Sequence, residues 1–256
     1  MNYFSPIFSS NLKLYLGTNS QKIYEYPTFL HNQGIFNDPW YNYIVPITVH
    51  EKLDKKAVEK IIKKQTEQGK KVSYLINQRL LSNYQSFLQK KGYINFGDDV
   101  YLVKKIDNNE NYSLPAGYAL STDYELDEVI KVLEKCFPDW PEEKQYSHLY
   151  EKYKQSGQLN RLFETFCITY QGKIVAAASI VLDQSLDLAY LHNAGVLPAH
   201  RRKKLHTTLI KVRNNYAFEH GVTQVLSITE KNVASYYGFK KLGFEVLDQF
   251  FIFSEI

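Results

Sequence analysis

The chain has 256 residues, of which 44% are hydrophobic and 23% are charged, enough for the core of one large domain or two small ones. A net charge of +4 is too small to indicate nucleic-acid binding by itself. No basic segment followed by an apolar one opens the chain, and the longest mostly apolar run, residues 174–182, is far shorter than the roughly 20 residues of a membrane helix. These features predict a cytoplasmic globular protein without a membrane segment.

The first half predicts alternating strands and helices. The expected elements are a strand at 41–47, a helix ending at Gly69, a strand at 72–76, a helix at 84–91 and a strand ending at Val103. Residues 50–54 are expected to form a turn, with Asp54 as the N-cap of the first helix. A polar segment at 107–115 then predicts a linker.

The second half predicts a longer series of elements, in which Cys136 and Cys167 are expected to be reduced core thiols because their sequence neighbours are apolar or aromatic. We therefore expect no disulfide and no metal site. The expected elements are a strand at 117–120, helices at 123–136 (capped by Thr122 or Asp123) and 142–155, strands at 163–170, 174–183 and 188–196, a helix at 204–220, a strand at 224–228, a helix at 234–242 and a strand ending at Phe253. The turn at 170–173 predicts a hairpin.

Two segments of the chain have the same order of elements. Each contains helix, glycine, strand, helix, glycine and strand, and Gly69 and Gly92 are nearly as far apart as Gly221 and Gly243. A glycine after a helix is typical of a left-handed C-cap. We interpret the match as a diverged duplication rather than chance, with domains at 1–114 and 115–256.

The end of the strand at 188–196 predicts an anion site. The chain passes Pro198, then four consecutive cations at 201–204 (the cationic turn), and enters a helix. A helix N-terminus presents free backbone N–H groups and the positive end of the helix dipole. The expected ligand therefore carries phosphates. The corresponding segment of the first half, residues 50–54, has no such run of cations.

These residues resemble the GNAT superfamily of N-acetyltransferases. The sequence VLPAHRRKKLH at 196–206 is similar to the family's donor-binding motif, and NVASYYGFKKLGF at 232–244 is similar to its next motif. Residues 38–42 (DPWYN) and the strand after them look like the degenerate half-copy of two-domain members. The resemblance implies an α/β (α+β) fold: a mixed, mostly antiparallel sheet flanked by helices, with a smaller related N-terminal domain.

The resemblance also implies a donor and its contacts. The donor would be acetyl-CoA, with its pantetheine arm paired to the backbone of the strand end and a backbone N–H near Val196 polarising the thioester carbonyl. No metal is implied. The residues expected at the donor are Ala194, Gly195, Val196, Arg201, Arg202, Lys203, Lys204, Leu205, His206, Thr207, Asn232 and Phe239.

Three residues depart from the family pattern. Lys204 and His206 stand where glycine or alanine is preferred; they can keep helical dihedral angles and N–H groups but can also crowd the ligand. Phe239 stands where the family often has a tyrosine that protonates the leaving thiolate, and phenylalanine cannot donate a proton. Tyr236 and Tyr237 are the candidates to replace it, and Tyr236 is the better candidate for a core residue.

His192 is the candidate base. Strand alternation predicts that His192, Ala194 and Val196 share one face. A hydrogen-bonded structural histidine is an equally good interpretation. The predicted catalytic residues are therefore His192 and Tyr237.

Three hypotheses follow for function. The first is an acetyl-CoA-dependent N-acetyltransferase that acts by direct transfer on a primary amine, either a small molecule or a peptide. The second is an inactive GNAT-like module that binds CoA or a protein partner. The third, a nucleic-acid binder, is disfavoured because the cationic turn is short and no nucleic-acid motif accompanies it. The acceptor groove is expected at residues 123–158, its amine is left open, and a homodimer is compatible with the sequence.

Overall fold

The structure is a computed structural model that describes residues 20–34, 42–48, 53–137 and 161–255. The described residues fall into two compact units. The first takes the residues up to Leu102, Ile228–Tyr237 and those from Glu245 onward; the second takes Val103–Ser227 and Gly238–Phe244. The units thus do not follow a single chain boundary, and the predicted division near residue 114 stays a prediction.

The first unit is built on a sheet with the strand order β1-β2-β3-β4-β11-β5. Its elements are β1 (Ser20–Glu25), β2 (Phe29–Gly34), β3 (Tyr43–Pro46), α1 (Lys55–Glu67), β4 (Ser73–Asn77), α2 (Leu81–Lys90), the greater part of β5 (Tyr93–Lys105) and β11 (Glu245–Glu255). Strands β3 and β4 are parallel, and α1 connects them. The antiparallel hairpin of β1 and β2 was not predicted.

Helix α1 shows why these residues form a helix. The side chain of Asp54 accepts a hydrogen bond from the Ala57 N–H at 3.1 Å, which confirms the predicted N-cap. Val58, Ile61 and Gln65 are buried, a spacing that places them on one face of the helix. Val58 and Ile61 pack there into the core of this unit.

The second unit contains a mostly antiparallel sheet with the order β10-β9-β8-β7-β6, in which only the pair β9–β10 is parallel among the registers described. Its elements are β6 (Tyr118–Ser121), α3 (Leu126–Cys136), β7 (Arg161–Tyr170), β8 (Lys173–Asp183), β9 (Leu188–Val196), α4 (Leu205–Glu219), most of β10 (Gln224–Thr229) and the last turn of α5 (Ala234–Lys241). The predicted hairpin is confirmed: Tyr170 pairs with Lys173 across Gln171 and Gly172, which both have positive φ.

Helices cover both faces of this second sheet. Phe166 of β7 contacts Tyr216 of α4, whereas its neighbour Cys167 packs with Val129 and Leu133 of α3. Adjacent residues of a strand point to opposite faces, so α3 and α4 lie on opposite sides. The predicted mixed, mostly antiparallel sheet flanked by helices is confirmed.

Several local predictions can be compared with the structure. Gly69, Gly92, Gly221 and Gly243 all have positive φ, as expected for left-handed C-caps. Both cysteines are free thiols. The predicted start of the helix near 123 is wrong: the Ser121 hydroxyl closes a turn with the backbone of Asp123, and α3 begins at Leu126.

The predicted helix at 142–155 lies outside the described residues. Among the described residues, no helix has the length and apolar character needed to cross a membrane. No group of three or more metal-ligating side chains is found in the same part of the chain.

Candidate functional site

The C-terminal end of β9 is open along one side. Parallel pairing with β10 runs from Leu188–Gln224 to Leu191–Ser227 and stops there, while β8 stays paired with β9 up to Val196. Residues 192–196 therefore have no ladder partner on the β10 side in the described register. Their backbone groups on that side can pair with an extended ligand.

A β-bulge lies inside this open segment. Ser179 pairs with His192 and Ala177 pairs with Gly195, so one residue of β8, Ala178, opposes two residues of β9. Asn193 takes up the extra residue with a φ of 48°. The predicted sharing of one face by His192, Ala194 and Val196 is wrong, because the bulge places Gly195 on the face of His192 instead.

Gly195 is needed for the close approach of helix α3. A Cβ at Gly195 would lie 2.8 Å from both Cβ and Sγ of Cys136 and 3.3 Å from Leu133. Only glycine allows α3 to pack this close to the open end of β9. Burial raises the pKa of the Cys136 thiol.

Gly195→Ala is expected to lower the free energy of unfolding by about 1–3 kcal/mol, because α3 has to move to make room for the methyl group. Urea denaturation measures the change. Gly238→Ala is the matched control, since its Cβ would meet only His206 at an ordinary 3.8 Å. Equal stability of the two variants would contradict the close-packing argument.

The cationic turn continues directly from β9. The Leu197 N–H donates to the Val175 carbonyl at 2.9 Å, and a short 3₁₀ turn at Pro198–His200 follows. Arg202 and Lys204 both have a φ of 62°, in the left-handed region that favours glycine. The expectation that Lys204 keeps helical dihedral angles is therefore wrong: it is the residue before α4, and Leu205 is the first helical residue.

The cationic turn concentrates positive charge at the N-terminus of α4. All four side chains from Arg201 to Lys204 are exposed. Arg201 Nε donates to the Val196 carbonyl at 3.1 Å, which ties the turn to the strand end. The first N–H groups of α4, from Leu205 to Thr207, have no intrahelical acceptor. An anion can bind here through both backbone N–H groups and side-chain cations.

A hydrogen-bond chain fixes the position of the turn. Lys203 Nζ donates to the Tyr118 hydroxyl at 2.9 Å, and this hydroxyl lies 2.8 Å from His200 Nδ1. An ammonium only donates, so the Tyr118 hydroxyl accepts from Lys203, and the direction of its bond to Nδ1 depends on the tautomer of the His200 imidazole. The bond to Tyr118 also raises the pKa of Lys203. Tyr118 was missed by the sequence analysis, since nothing in its local sequence indicates a contact with residues far along the chain.

His206 faces the helix α5 side of the site. Its ring lies 5.8 Å from the ring of Phe239, edge to face, and burial followed by the charge of Arg213 lowers its pKa to about 4. His206 is therefore neutral at pH 7. Its side chain takes up the room that a glycine would leave empty, while its backbone remains in the first turn of α4.

The second motif, at residues 232–244, contributes residues to both units. The side chain of Phe239 is only 4% exposed and its ring contacts the ring of Phe244, so Phe239 is a core residue. In the first unit, the exposed hydroxyl of Tyr237 donates to Oδ1 of Asn232 at 3.3 Å. Asn232 has a φ of 63°. The structure thus brings Tyr237 and Asn232 together.

His192 is poorly suited to act as a base. It is 8% exposed, and its ring stacks on Tyr190 at a centroid distance of 5.2 Å. Burial, followed by the charge of Arg213, lowers its pKa to about 3. The imidazole is neutral at pH 7 but accepts a proton weakly, so its environment favours the structural interpretation.

Arg213 of helix α4 donates hydrogen bonds to the backbone at the start of the bulge. It is fully buried on α4, and burial lowers its pKa to about 9. Its Nη1 donates to the carbonyls of Ser179 at 2.9 Å and His192 at 3.3 Å, and its Nε donates to the Leu209 carbonyl at 2.9 Å. Ser179 and His192 form the register pair at the start of the bulge. Arg213 was not predicted as a functional residue, since its acceptors on β8 and β9 are distant in the sequence.

The described sheet, whose parallel pair β9–β10 ends shortly before the cationic turn, has the acyl-CoA N-acyltransferase fold. Residues 126–244 match the Acetyltransferase (GNAT) family. A comparison with curated protein sequences gives no match.

Solved structures of similar fold cover most of the chain. A GCN5-related N-acetyltransferase from Kribbella flavida has a TM-score of 0.69 at 15% identity, over 96% of this chain and 93% of its own. One from Sphaerobacter thermophilus has a TM-score of 0.67 at 12% identity, over 89% of this chain and 76% of its own. A tandem GNAT protein from the clavulanic acid biosynthesis pathway, solved without AcCoA, has a TM-score of 0.64 at 14% identity, over 89% and 78%. At these identities the likeness establishes the fold, and a two-domain arrangement is consistent with it.

Proposed function

We propose that the protein is an N-acetyltransferase that uses acetyl-CoA and acetylates a primary amine. The observation that supports this most strongly is the open end of β9 leading into the cationic turn. An extended amide-containing arm can pair with residues 194–196, and a diphosphate can bind at residues 201–207. A nucleotide thioester such as acetyl-CoA contains both of these groups, the amide-containing arm and the diphosphate.

The turn is compatible with a diphosphate even though it lacks glycine. Arg202 and Lys204 adopt the left-handed conformation that glycine would supply, so the backbone path of a glycine-rich turn is kept. His206 packs against Phe239, and its imidazole is thereby directed to the α5 side. The three departures from the motif therefore leave the N–H groups of α4 accessible in this proposal.

The bound donor would supply an acetyl group activated as a thioester. The chain's part is to position it and to stabilise charge on the carbonyl oxygen. A backbone N–H near Val196 is the proposed donor to that oxygen, and the bulge at Asn193 sets the direction of the N–H groups that follow it. Since the pKa of His192 is about 3, we propose that the amine's proton leaves through water.

Tyr237 is the proposed proton donor to the leaving thiolate. Its hydroxyl is exposed and directed to Asn232, whereas Phe239 has no proton to give. Asn232 is also proposed to contact the donor's arm.

A catalytically inactive CoA-binding module is the second candidate. Two observations favour it: the candidate base has a strongly lowered pKa, and the usual acid position is held by a buried phenylalanine. Both candidates share the donor site and differ in turnover.

A donor-binding and turnover experiment separates the candidates. Acetyl-CoA is titrated calorimetrically, and CoA release is then followed with a panel of amines that includes polyamines, amino acids, aminoglycosides and N-terminal peptides. Binding with turnover supports the transferase, and binding without turnover on any amine supports the inactive module. No binding at millimolar acetyl-CoA would contradict both.

Arg201→Ala combined with Arg202→Ala is expected to weaken acetyl-CoA binding by about 10- to 100-fold, since two charge-assisted contacts to phosphate are lost. Calorimetric titration gives the dissociation constant. Lys131→Ala with Lys173→Ala removes the same charge from exposed positions outside the turn and is expected to bind as the parent does. Equal affinity of both double variants would remove the role proposed for the cationic turn.

A further inference from the structure

The first unit contains a cavity of its own. Its volume is about 260 Å³, and it lies between helices α1 and α2 above strands β4 and β5. The apolar and aromatic side chains that line it are Leu53, Val58, Ile62, Tyr74, Phe87 and Tyr93. This cavity belongs to the half in which the sequence shows no phosphate-binding turn.

The floor of the cavity is a continuation of the core. Val58 and Tyr74 are each 2% exposed and Tyr93 is 5% exposed, so the floor is rigidly packed from below. The rings of Tyr74 and Tyr93 meet edge to face at 5.1 Å. Ile62 and Phe87 are partly exposed and form the walls. Such a lining suits the apolar body of a small ligand.

The rim carries more positive than negative charge. Lys55, Lys63 and Lys91 line it together with Glu59 and Glu255. Lys55 Nζ already lies 5.3 Å from the centre of the Phe87 ring. Among the described residues, the ion pairs found join Lys104 to Glu110 and Lys105 to Asp107, and neither pair includes a rim lysine.

The carboxylates at the rim are less able to bind a ligand. Glu255 accepts a hydrogen bond from the Tyr93 hydroxyl, and burial raises the pKa of both Tyr74 and Tyr93. Both phenols therefore stay protonated, and the single O–H of Tyr93 is already donated to Glu255, so the three ammonium groups supply the donors at the rim. Glu59 is exposed on α1. Donors thus outnumber free acceptors around the opening.

We propose that this cavity binds a small amphipathic acid, with an aliphatic or aromatic body over the tyrosine floor and a carboxylate at the rim lysines. The volume restricts the ligand to a small one, since drug-sized ligands occupy pockets of about 300–1,000 Å³. The site is independent of the acetyl donor, and the proposal does not rest on the transferase function.

The test compares three probes on the full chain at pH 7 by calorimetry. Octanoate has a long aliphatic chain and a carboxylate. Acetate has the carboxylate without the long chain, and octylamine has a similar chain with a positive charge. Octanoate is expected to bind at least about tenfold more tightly than either of the others. Equal or tighter binding of octylamine would overturn the choice of an acid, and no binding of octanoate at millimolar concentration would overturn the site.

Charge reversal locates the binding. Lys63→Glu with Lys91→Glu is expected to weaken octanoate binding at least about tenfold. Lys56→Glu with Lys60→Glu makes the same change at exposed positions of α1 that do not line the cavity, and it is expected to bind octanoate within about twofold of the parent chain. An equal loss in both double variants would show general charge attraction and overturn the assignment to this cavity. All four positions are exposed, so the variants are expected to fold.

Discussion

Acidification is expected to unfold this protein mainly through its buried histidines. His31 is 3% exposed, and burial lowers its pKa from 6.5 to about 4, which corresponds to about 3 kcal/mol of the free energy of unfolding. Below pH 6.5 the unfolded chain binds a proton that the folded chain resists. Stability is therefore complete above pH 6.5 and falls as the pH approaches 4. His192, with a pKa of about 3, acts in the same direction.

Urea denaturation at several pH values between 7 and 4.5 measures this dependence. His31→Asn and His192→Asn should each flatten the curve of stability against pH, because each removes one group with a lowered pKa. His220→Asn is the matched control, since His220 is only half-buried. A curve that keeps its full slope in the first two variants would refute the histidine explanation.

Replacing Arg213 by alanine is expected to cost about 2–4 kcal/mol of stability, through a cavity on α4 and the loss of the hydrogen bonds to Ser179 and His192. Arg213→Met fills most of the space without donating. The loss of stability that remains in this variant reports the missing hydrogen bonds to the three carbonyls, those of Ser179, His192 and Leu209, rather than the cavity.

The second measurement is the backbone amide spectrum. Arg213→Met should shift the amide signals of Asn193 and Gly195, because the bulge loses the donor that holds its first register pair. Lys211→Met alters a neighbouring cation on the same helix and should leave these signals in place. Unchanged amides in both variants would mean that the bulge forms without Arg213.

The elements with strong local signals were predictable from the sequence. The capping side chain of Asp54, the glycines after helices and the turn at Gln171 and Gly172 each depend on residues within a few positions. The same holds for the cationic turn, because its charges and the start of α4 are adjacent in the chain. The family match at residues 126–244 then agrees with the resemblance inferred from two short motifs.

Features set by distant partners were not predictable in this way. The bulge at Asn193 depends on the register of β8 against β9, and a local pattern of alternation cannot report a register shift. The left-handed conformation of Lys204 is imposed by the path from β9 into α4, against the residue's own preference. The partners of Tyr118 and Arg213 likewise come from other strands and turns.

The pairing of β11 with β4 has a consequence for how the chain folds during synthesis. Phe250–Phe253 pair with Tyr74–Asn77, so the first half completes its sheet with a strand that is synthesised long after β4. Until β11 has left the ribosome, β4 has one side exposed, and such an edge is a template for aggregation. A truncation before Glu245 is therefore expected to destabilise the sheet of the first unit.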